Sequence, residues 1–160
     1  MTPAIKAAEK AKIKFEVHSY QHDANAASYG LEAVEKLNLA AEQVFKTLVL
    51  SLDNGQLVVA IVPVEHQVNL KMLAKAAGAK KAQMAKTEDV QRSTGYVLGG
   101  VSPLGQKKQL KTFLDSSAQA HGLIYVSAGH RGLEIALSPH DLLTLTRGKF
   151  CPLIQQQRNL

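Results

Sequence analysis

The stretch Ser93-Thr94-Gly95-Tyr96-Val97-Leu98-Gly99-Gly100-Val101-Ser102-Pro103-Leu104-Gly105-Gln106-Lys107-Lys108 sets four glycines and a proline between apolar segments. Glycine tolerates positive φ and has no Cβ, so Gly99-Gly100 is able to aim adjacent N–H groups at one point, with the Ser102-Pro103-Leu104-Gly105 turn fixing the rim beside them. Paired amides of this kind suit an anion or a developing oxyanion. The same composition also describes two tight turns joining strands, and the stretch alone does not separate the readings. Lys46 is the second chemical feature. In Phe45-Lys46-Thr47-Leu48-Val49-Leu50 the strand period puts it on the face of Leu48 and Leu50. It is either a lysine at a strand's start that snorkels to water or an ammonium at the mouth of a pocket, where low dielectric strengthens its hold on an anionic or carbonyl oxygen.

Familiar nucleophile arrangements are missing: the chain has no Gly-x-Ser-x-Gly elbow, His-Glu-x-x-His, cysteine-protease signature or Walker loop. His18 and His22 have a metal spacing for a helix, but their segment reads as a strand running into a loop, with no obvious third ligand. His66, His121, His130 and His140 are scattered and read as surface histidines. No metal and no cofactor is expected. Chemistry from such parts has to come from electrostatics and from positioning water or a group within the substrate.

The 160 residues are 46% hydrophobic, enough for one buried core, and no linker-like segment divides them, so a single domain over 1–160 is expected. No apolar run reaches the roughly 18 residues of a membrane span. Met1-Thr2-Pro3 leads into an amphipathic helix instead of a signal peptide. The single cysteine, Cys151, excludes an internal disulfide and reads as a small apolar group near the C-terminus. These features fit a cytoplasmic protein with no membrane partner. Lys and Arg total 19 against 13 Asp and Glu, a formal charge of +6, with much of the excess at Lys71, Lys75, Lys80, Lys81, Lys86, Lys107, Lys108 and Lys111. That balance suits a polyanionic partner as well as plain solubility. With 5% aromatics and no tryptophan, a stacking platform for single strands is not expected, while contact with a phosphate backbone stays open.

The elements that must position these groups follow from capping and periodicity. Thr2 caps and Pro3 opens a helix to about Ala11, with Ile5 and Ala8 inward. Phe15, Val17 and Ser19 alternate with Glu16, His18 and Tyr20, a strand carrying Tyr20 at its polar end. Ser28 caps a helix bearing Leu31, Val34 and Leu37, ended near Asn38. Val44 to Leu52 and Leu57 to Val64 form two strands around Asp53-Asn54-Gly55, where Asn-Gly suits a type I′ hairpin. Asn69 caps a helix with Leu70, Leu73, Ala74 and Ala77, stopped at Gly78. Lys81 to Met84 form a short strand, and Thr87 caps a turn of helix through Val90. Gln109 to Leu114, Leu123 to Ser127 and Leu133 to Leu137 add strands, and Ser138-Pro139 opens a helix with Leu142, Leu143 and Leu145. Helices scattered irregularly among short strands predict an α/β fold whose mixed sheet curls toward a barrel flanked by helices, not a doubly wound parallel one.

Thr2-Pro3-Ala4, His18-Ser19-Tyr20-Gln21-His22-Asp23, Val44-Phe45-Lys46-Thr47-Leu48, the glycine-rich stretch and Tyr125-Val126-Ser127-Ala128-Gly129-His130-Arg131-Gly132-Leu133 together closely resemble the YbaK family, in order along nearly the whole chain. That family comprises bacterial Cys-tRNA(Pro) deacylases that act in trans after prolyl-tRNA synthetase has charged its tRNA with cysteine. The resemblance implies a mixed, barrel-like sheet flanked by helices. It also implies a pocket in which Lys46, Gly99 and Gly100 are catalytic and Tyr20, Tyr29, Thr47, Ser102, Ser127 and Glu134 surround the substrate. Tyr29 matches a position that is aromatic in the family. Glu134 stands where an aspartate is expected, and Ser127-Ala128-Gly129-His130 where Ser-Gly-Gly-Lys is common. Glu134 therefore either keeps the charge, displaced by one methylene, or is a strand carboxylate facing solvent.

In this family the substrate's own thiol attacks its ester carbonyl and leaves a thiolactone that opens in water, which accounts for the missing nucleophile. One good oxyanion donor would lower the barrier by about 3–4 kcal/mol. The partners implied are an aminoacyl-tRNA, with Cys-tRNA(Cys) a further substrate to consider, and prolyl-tRNA synthetase in a ternary complex. Two rivals stay open: an Ala-tRNA(Pro)-type deacylase that activates water, and a non-catalytic tRNA- or synthetase-binding module indifferent to Lys46→Ala.

Overall fold

The computed structural model describes residues 1–26 and 28–155. Positions 27 and 156–160, which the one-domain reading includes, lie outside the described residues. Five α-helices form among the described residues, α1 (Pro3–Ala11), α2 (Tyr29–Leu37), α3 (Leu70–Ala76), α4 (Thr87–Thr94) and α5 (Pro139–Thr146), and all but α4 start at the predicted cap. The hydroxyls of Thr2, Ser28 and Ser138 and the amide oxygen of Asn69 each accept an N–H from the first turn that would otherwise lack a partner. Left-handed Lys12, Asn38, Gly95 and Arg147 end α1, α2, α4 and α5.

The strands are β1 (Phe15–Ser19), β2 (Phe45–Leu52), β3 (Leu57–Pro63), β4 (Ala82–Met84), β5 (Lys111–Asp115), β6 (Ile124–Ser127), β7 (Leu133–Leu137) and β8 (Lys149–Cys151). They pair as a three-stranded antiparallel sheet, β1-β7-β6, and a five-stranded mixed sheet, β4-β2-β3-β5-β8, in which β5 runs parallel to both β3 and β8. A bridge between Val44 and Tyr125 ties the two together. The sheets thus curl toward one another without closing a barrel.

Burial explains this layering. One face of the larger sheet, with Phe45, Val49, Ile61 and Leu114, packs with Ile124, Val126, Ile135 and Leu137 of the smaller sheet and with Ala4, Ile5 and Ala8 of α1. The other face, with Leu50, Val58, Val62 and Phe113, is covered by Leu73 of α3. A strand buried on both faces has no polar side to present, which is why β3 is an unbroken apolar run. Each large aliphatic side chain removed from water there contributes about 1.5–3 kcal/mol.

Local details depart from the sequence reading. The hairpin at Asp53-Asn54-Gly55 forms, but Gly55 N–H donates to Leu52 O and only Gly55 has positive φ (86°). A type I′ turn needs two such residues, so this is a three-residue loop with a left-handed glycine. Thr87 is the first residue of α4 instead of its cap, and α4 runs past Val90 to Thr94, taking the start of the glycine-rich stretch into helix. β8 carries no strong apolar alternation, and pairing with β5 defines it. Val17 and Leu31 are exposed, because β1 is an edge strand and α2 turns Glu32 and Ala33 inward. Cys151 lies half-buried on β8, its thiol pushed up to about 11 by burial.

Candidate active site

β2 builds one wall. β3 pairs along nearly its whole length, but on the other side β4 pairs only with Leu50–Leu52. The main-chain groups of β2 alternate in direction: Val44 O accepts from Val64 N–H toward β3, whereas Val49 O accepts from Ala85 N–H on the far side. By that alternation Phe45 faces the side of the Val44–Tyr125 bridge to β6, and Thr47 directs its amide and carbonyl to the stretch between that bridge and β4, where no strand is paired. This open edge bounds a cavity of about 360 Å³, within the usual size of a small-ligand site. Lys46 lines it half-buried, its ammonium pKa lowered by burial and with no ion pair among the described residues. The Thr47 hydroxyl lines it too, buried and without a hydrogen-bond partner.

The glycine-rich stretch supplies the opposing rim, anchored by Tyr96. This residue is buried and its hydroxyl donates to Leu104 O at 2.6 Å. Val97 to Gly100 then form a turn closed by Gly100 N–H to Val97 O at 2.9 Å, with Gly99 at φ 87° in its third position. That is the type II geometry, which favours glycine there. The expectation of two convergent amides fails, because Gly100 N–H closes the turn. Gly99 N–H has no acceptor among the described residues, and Gly99 lines the cavity. Gly100 does not line it; a Cβ there would lie 2.7 Å from His130 Cα, so this glycine lets two loops touch. Ser102 is not at the cavity either. It is fully buried, and its Oγ accepts from Leu104 N–H at 3.2 Å, holding the Ser-Pro turn.

The smaller sheet brings Ser127 and Glu134 into register on β6 and β7, with His18 opposite Glu134 on β1. Ser127 and Glu134 line the cavity with Tyr20 and Tyr29, so seven of the residues expected around the substrate converge. Glu134 faces the cavity, not solvent: it is 7% exposed and burial pushes its carboxyl up to about 8. No hydrogen bond reaches that carboxyl among the described residues, and it is the only acidic side chain of the lining. Tyr20 N–H donates to Gly132 O, and its hydroxyl is pushed up to about 12, first by burial and then by the nearby Glu134 and Glu32.

Arg131 escaped the sequence reading. Its guanidinium lies 4.0 Å over the Tyr29 ring and donates to Leu98 O at 3.1 Å, so one side chain ties the start of α2 to the Val97–Gly100 turn. A Cβ on Gly99 would fall 2.6 Å from Arg131 Nε and 2.7 Å from Tyr29 Cε2; glycine is required for that approach. The flanking Gly129 and Gly132 were the available signal, because they mark a loop passing close to other backbone. The rim also leaves apolar Met84 and Leu98 about half exposed.

Among the described residues no group of three His, Cys, Asp or Glu is placed to hold a metal ion, and no helix is long and apolar enough to cross a membrane.

Residues 23–145 match the model of the aminoacyl-tRNA editing domain family. A protein of Enterococcus faecalis carrying the provisional name Cys-tRNA(Pro)/Cys-tRNA(Cys) deacylase EbsC is 36% identical over 156 residues, 98% of this chain and 94% of that protein. A proline–tRNA ligase of Trichlorobacter lovleyi is 35% identical over 88 residues, which cover 55% of this chain and 15% of the ligase. In fold, a crystal structure described provisionally as a trans-editing enzyme for prolyl-tRNA synthetase superposes with a TM-score of 0.79 at 21% identity, covering 98% of this chain and 99% of that one.

Proposed function

The chain belongs to the aminoacyl-tRNA editing domain family, and from that premise we propose that it deacylates cysteinyl-tRNA, Cys-tRNA(Pro) foremost and Cys-tRNA(Cys) as well, by letting the substrate's thiol cleave its own ester. The observation that carries the reading is one cavity walled by groups that have no protein partner among the described residues: the Lys46 ammonium, the Thr47 hydroxyl, the Gly99 amide and the Glu134 carboxyl. Buried polar groups are normally paired, so a set left open in a single hollow fits a ligand that pairs them. Within the cavity, Ser127 Oγ accepts from Gly129 N–H and is hydrogen-bonded to no base among the described residues.

In this mechanism Glu134 binds the α-ammonium of the cysteinyl ester, with Tyr20 and Ser127 flanking it, and its negative form is stabilised by that partner. The substrate sulfur attacks the ester carbonyl carbon. A C–S bond forms, the carbonyl oxygen becomes an oxyanion held by Gly99 N–H and the Thr47 hydroxyl, and the C–O bond to the terminal ribose then breaks. The ribose oxygen takes a proton from Lys46, and the thiol proton restores the lysine, so no proton is gained or lost. Burial favours this role by weakening the lysine's hold on its proton. Water then opens the released thiolactone to cysteine. The amino acid must supply the sulfur, so selectivity lies in the chemistry and not in the fit of the pocket.

The deciding assay compares release from Cys-tRNA(Pro), Cys-tRNA(Cys) and Ala-tRNA(Pro), with and without prolyl-tRNA synthetase. Cysteine should be released and alanine retained, and a synthetase requirement would place the reaction in a ternary complex. Equal release of alanine would replace the thiol mechanism with an activated water. Full activity in Lys46→Ala would remove the site.

A further inference from the structure

Between Asp89 and Asp115 the chain carries Arg92, Lys107, Lys108 and Lys111 and no acidic residue. The fold gathers three of these cations. After α4 ends at left-handed Gly95, the chain loops out and returns so that Lys107 N–H donates to Thr94 O and Lys108 N–H to Ser93 O, both at 2.9 Å. These bonds cap carbonyls at the negative end of α4, which would otherwise repel an anion. They also hold consecutive lysines beside Arg92, and the three side chains line one cleft with Ser93.

Lys107 and Lys108 are exposed and form no ion pair among the described residues. Asp89 is the one carboxylate of the cleft lining, and its contact with exposed Arg92 is long at 3.5 Å, a pair that contributes little and yields readily to a stronger anion. The cleft also has a fixed relation to the candidate active site. α4 turns Val90 into the cavity and Asp89, Arg92 and Ser93 into the cleft, and the segment carrying Leu98 and Gly99 at the cavity leads directly to Lys107 and Lys108.

We propose that this cleft is the docking site for the sugar–phosphate backbone of the tRNA acceptor end, holding the nucleic acid while its esterified terminus enters the cavity on the other side of α4. The assignment rests on the editing reading for its partner, but its test does not require cleavage. Binding of uncharged tRNA is measured by fluorescence anisotropy across a salt series for the wild-type chain, K107E/K108E, K107A/K108A and K71E/K75E. The last variant makes the same charge change on exposed lysines of α3, which packs on the opposite face of the five-stranded sheet.

Near 0.15 M salt K107E/K108E should weaken binding about tenfold or more, and K107A/K108A should reduce the slope of log affinity against log salt by about two, one for each phosphate that no lysine then neutralises. K71E/K75E should stay within about twofold of wild type. Where deacylation is followed, the cleft variants should raise KM and leave kcat in place. Wild-type affinity in K107E/K108E would overturn the proposal, as would an equal loss in K71E/K75E. So would failure of the wild-type chain to bind tRNA at low salt, or a cleft whose charge reversal abolishes only binding of prolyl-tRNA synthetase. Uncharged tRNA carries no ester, so a failed binding test condemns the cleft, and a failed deacylation assay condemns the active-site reading alone.

Discussion

Glu32 on α2 and Glu134 on β7 both place a carboxyl out of water, at 6% and 7% exposure, and both raise the Tyr20 hydroxyl, yet they titrate in opposite directions. Burial alone would push the Glu32 carboxyl up. The His22 ring at 2.7 Å, the Asp23 amide at 2.8 Å and Lys36 at 3.3 Å outweigh it and hold the group near 2. Glu134 has burial without partners and stands near 8. The first carboxylate is part of the architecture: it fastens the His22–Asp23 turn to α2 and so fixes both tyrosines of the cavity. The second is held at a cost of stability that no hydrogen bond among the described residues offsets, the pattern of a side chain kept for a ligand.

The contrast can be broken most directly at Lys46, which lines the same cavity without an ion pair among the described residues. Lys46→Ala should lower deacylation kcat about 100- to 1,000-fold while the melting temperature stays close to wild type; a large loss of stability with it would recast the lysine as structural. Glu134→Gln removes the charge but not the volume. It should raise KM for the cysteinyl ester about 10- to 100-fold, because the α-ammonium then has no carboxylate to bind.

The stability of Glu134→Gln has a definite sign. The Glu134 carboxyl ionises near 4.5 unfolded and near 8 folded, so the wild-type chain loses stability as pH rises between those values. The variant should match wild type near pH 4 and exceed it at pH 8 by up to a few kcal/mol, read by urea denaturation at each pH. Equal stability at both pH values would show that the carboxyl is satisfied after all.

Arg131→Ala should raise KM about tenfold with a smaller change in kcat, because Tyr29 and the Val97–Gly100 turn lose their common tie. Arg131→Lys should recover little, since an ammonium cannot both stack on the ring and reach Leu98 O in the same way. The smallest change in turnover is expected from Glu32→Gln, which should show its effect in acid instead. Glu32 contributes stability above about pH 4.5 that is lost as pH falls toward 2, so the variant should be less stable at neutral pH and show a flatter acid limb in urea denaturation. An acid limb identical to wild type would dissolve the distinction between the two glutamates.

The elements were legible where a cap or a period operates locally. Thr2, Ser28, Asn69 and Ser138 mark helix starts because a side-chain oxygen within the same turn satisfies a free N–H, and β3 reveals burial on both faces by its unbroken apolar run. β8 and the open half of β2 were not legible, because an edge is defined by which strand is absent beside it. Within the site, residue types pointed to Lys46 and to the Gly99-Gly100 pair, and the family resemblance added Thr47, Tyr20 and Glu134. Gly100 and Ser102, the latter named as a site residue through the resemblance, use their hydrogen-bonding groups in turns instead.

Residue order and chemistry alone determined the cap positions, the apolar strands, the excess of positive charge and the family likeness carried by the motifs. These depend on neighbours within a few bonds or on the residues themselves. Tertiary structure alone decided which amide of the Gly99-Gly100 pair is free, that Arg131 bridges two loops, that Lys107 and Lys108 meet Arg92, and that one buried glutamate is satisfied and the other is not. A hydrogen-bonding group can be committed or open only relative to atoms that are distant in sequence, and folding is what brings those atoms within about 3 Å or leaves them apart.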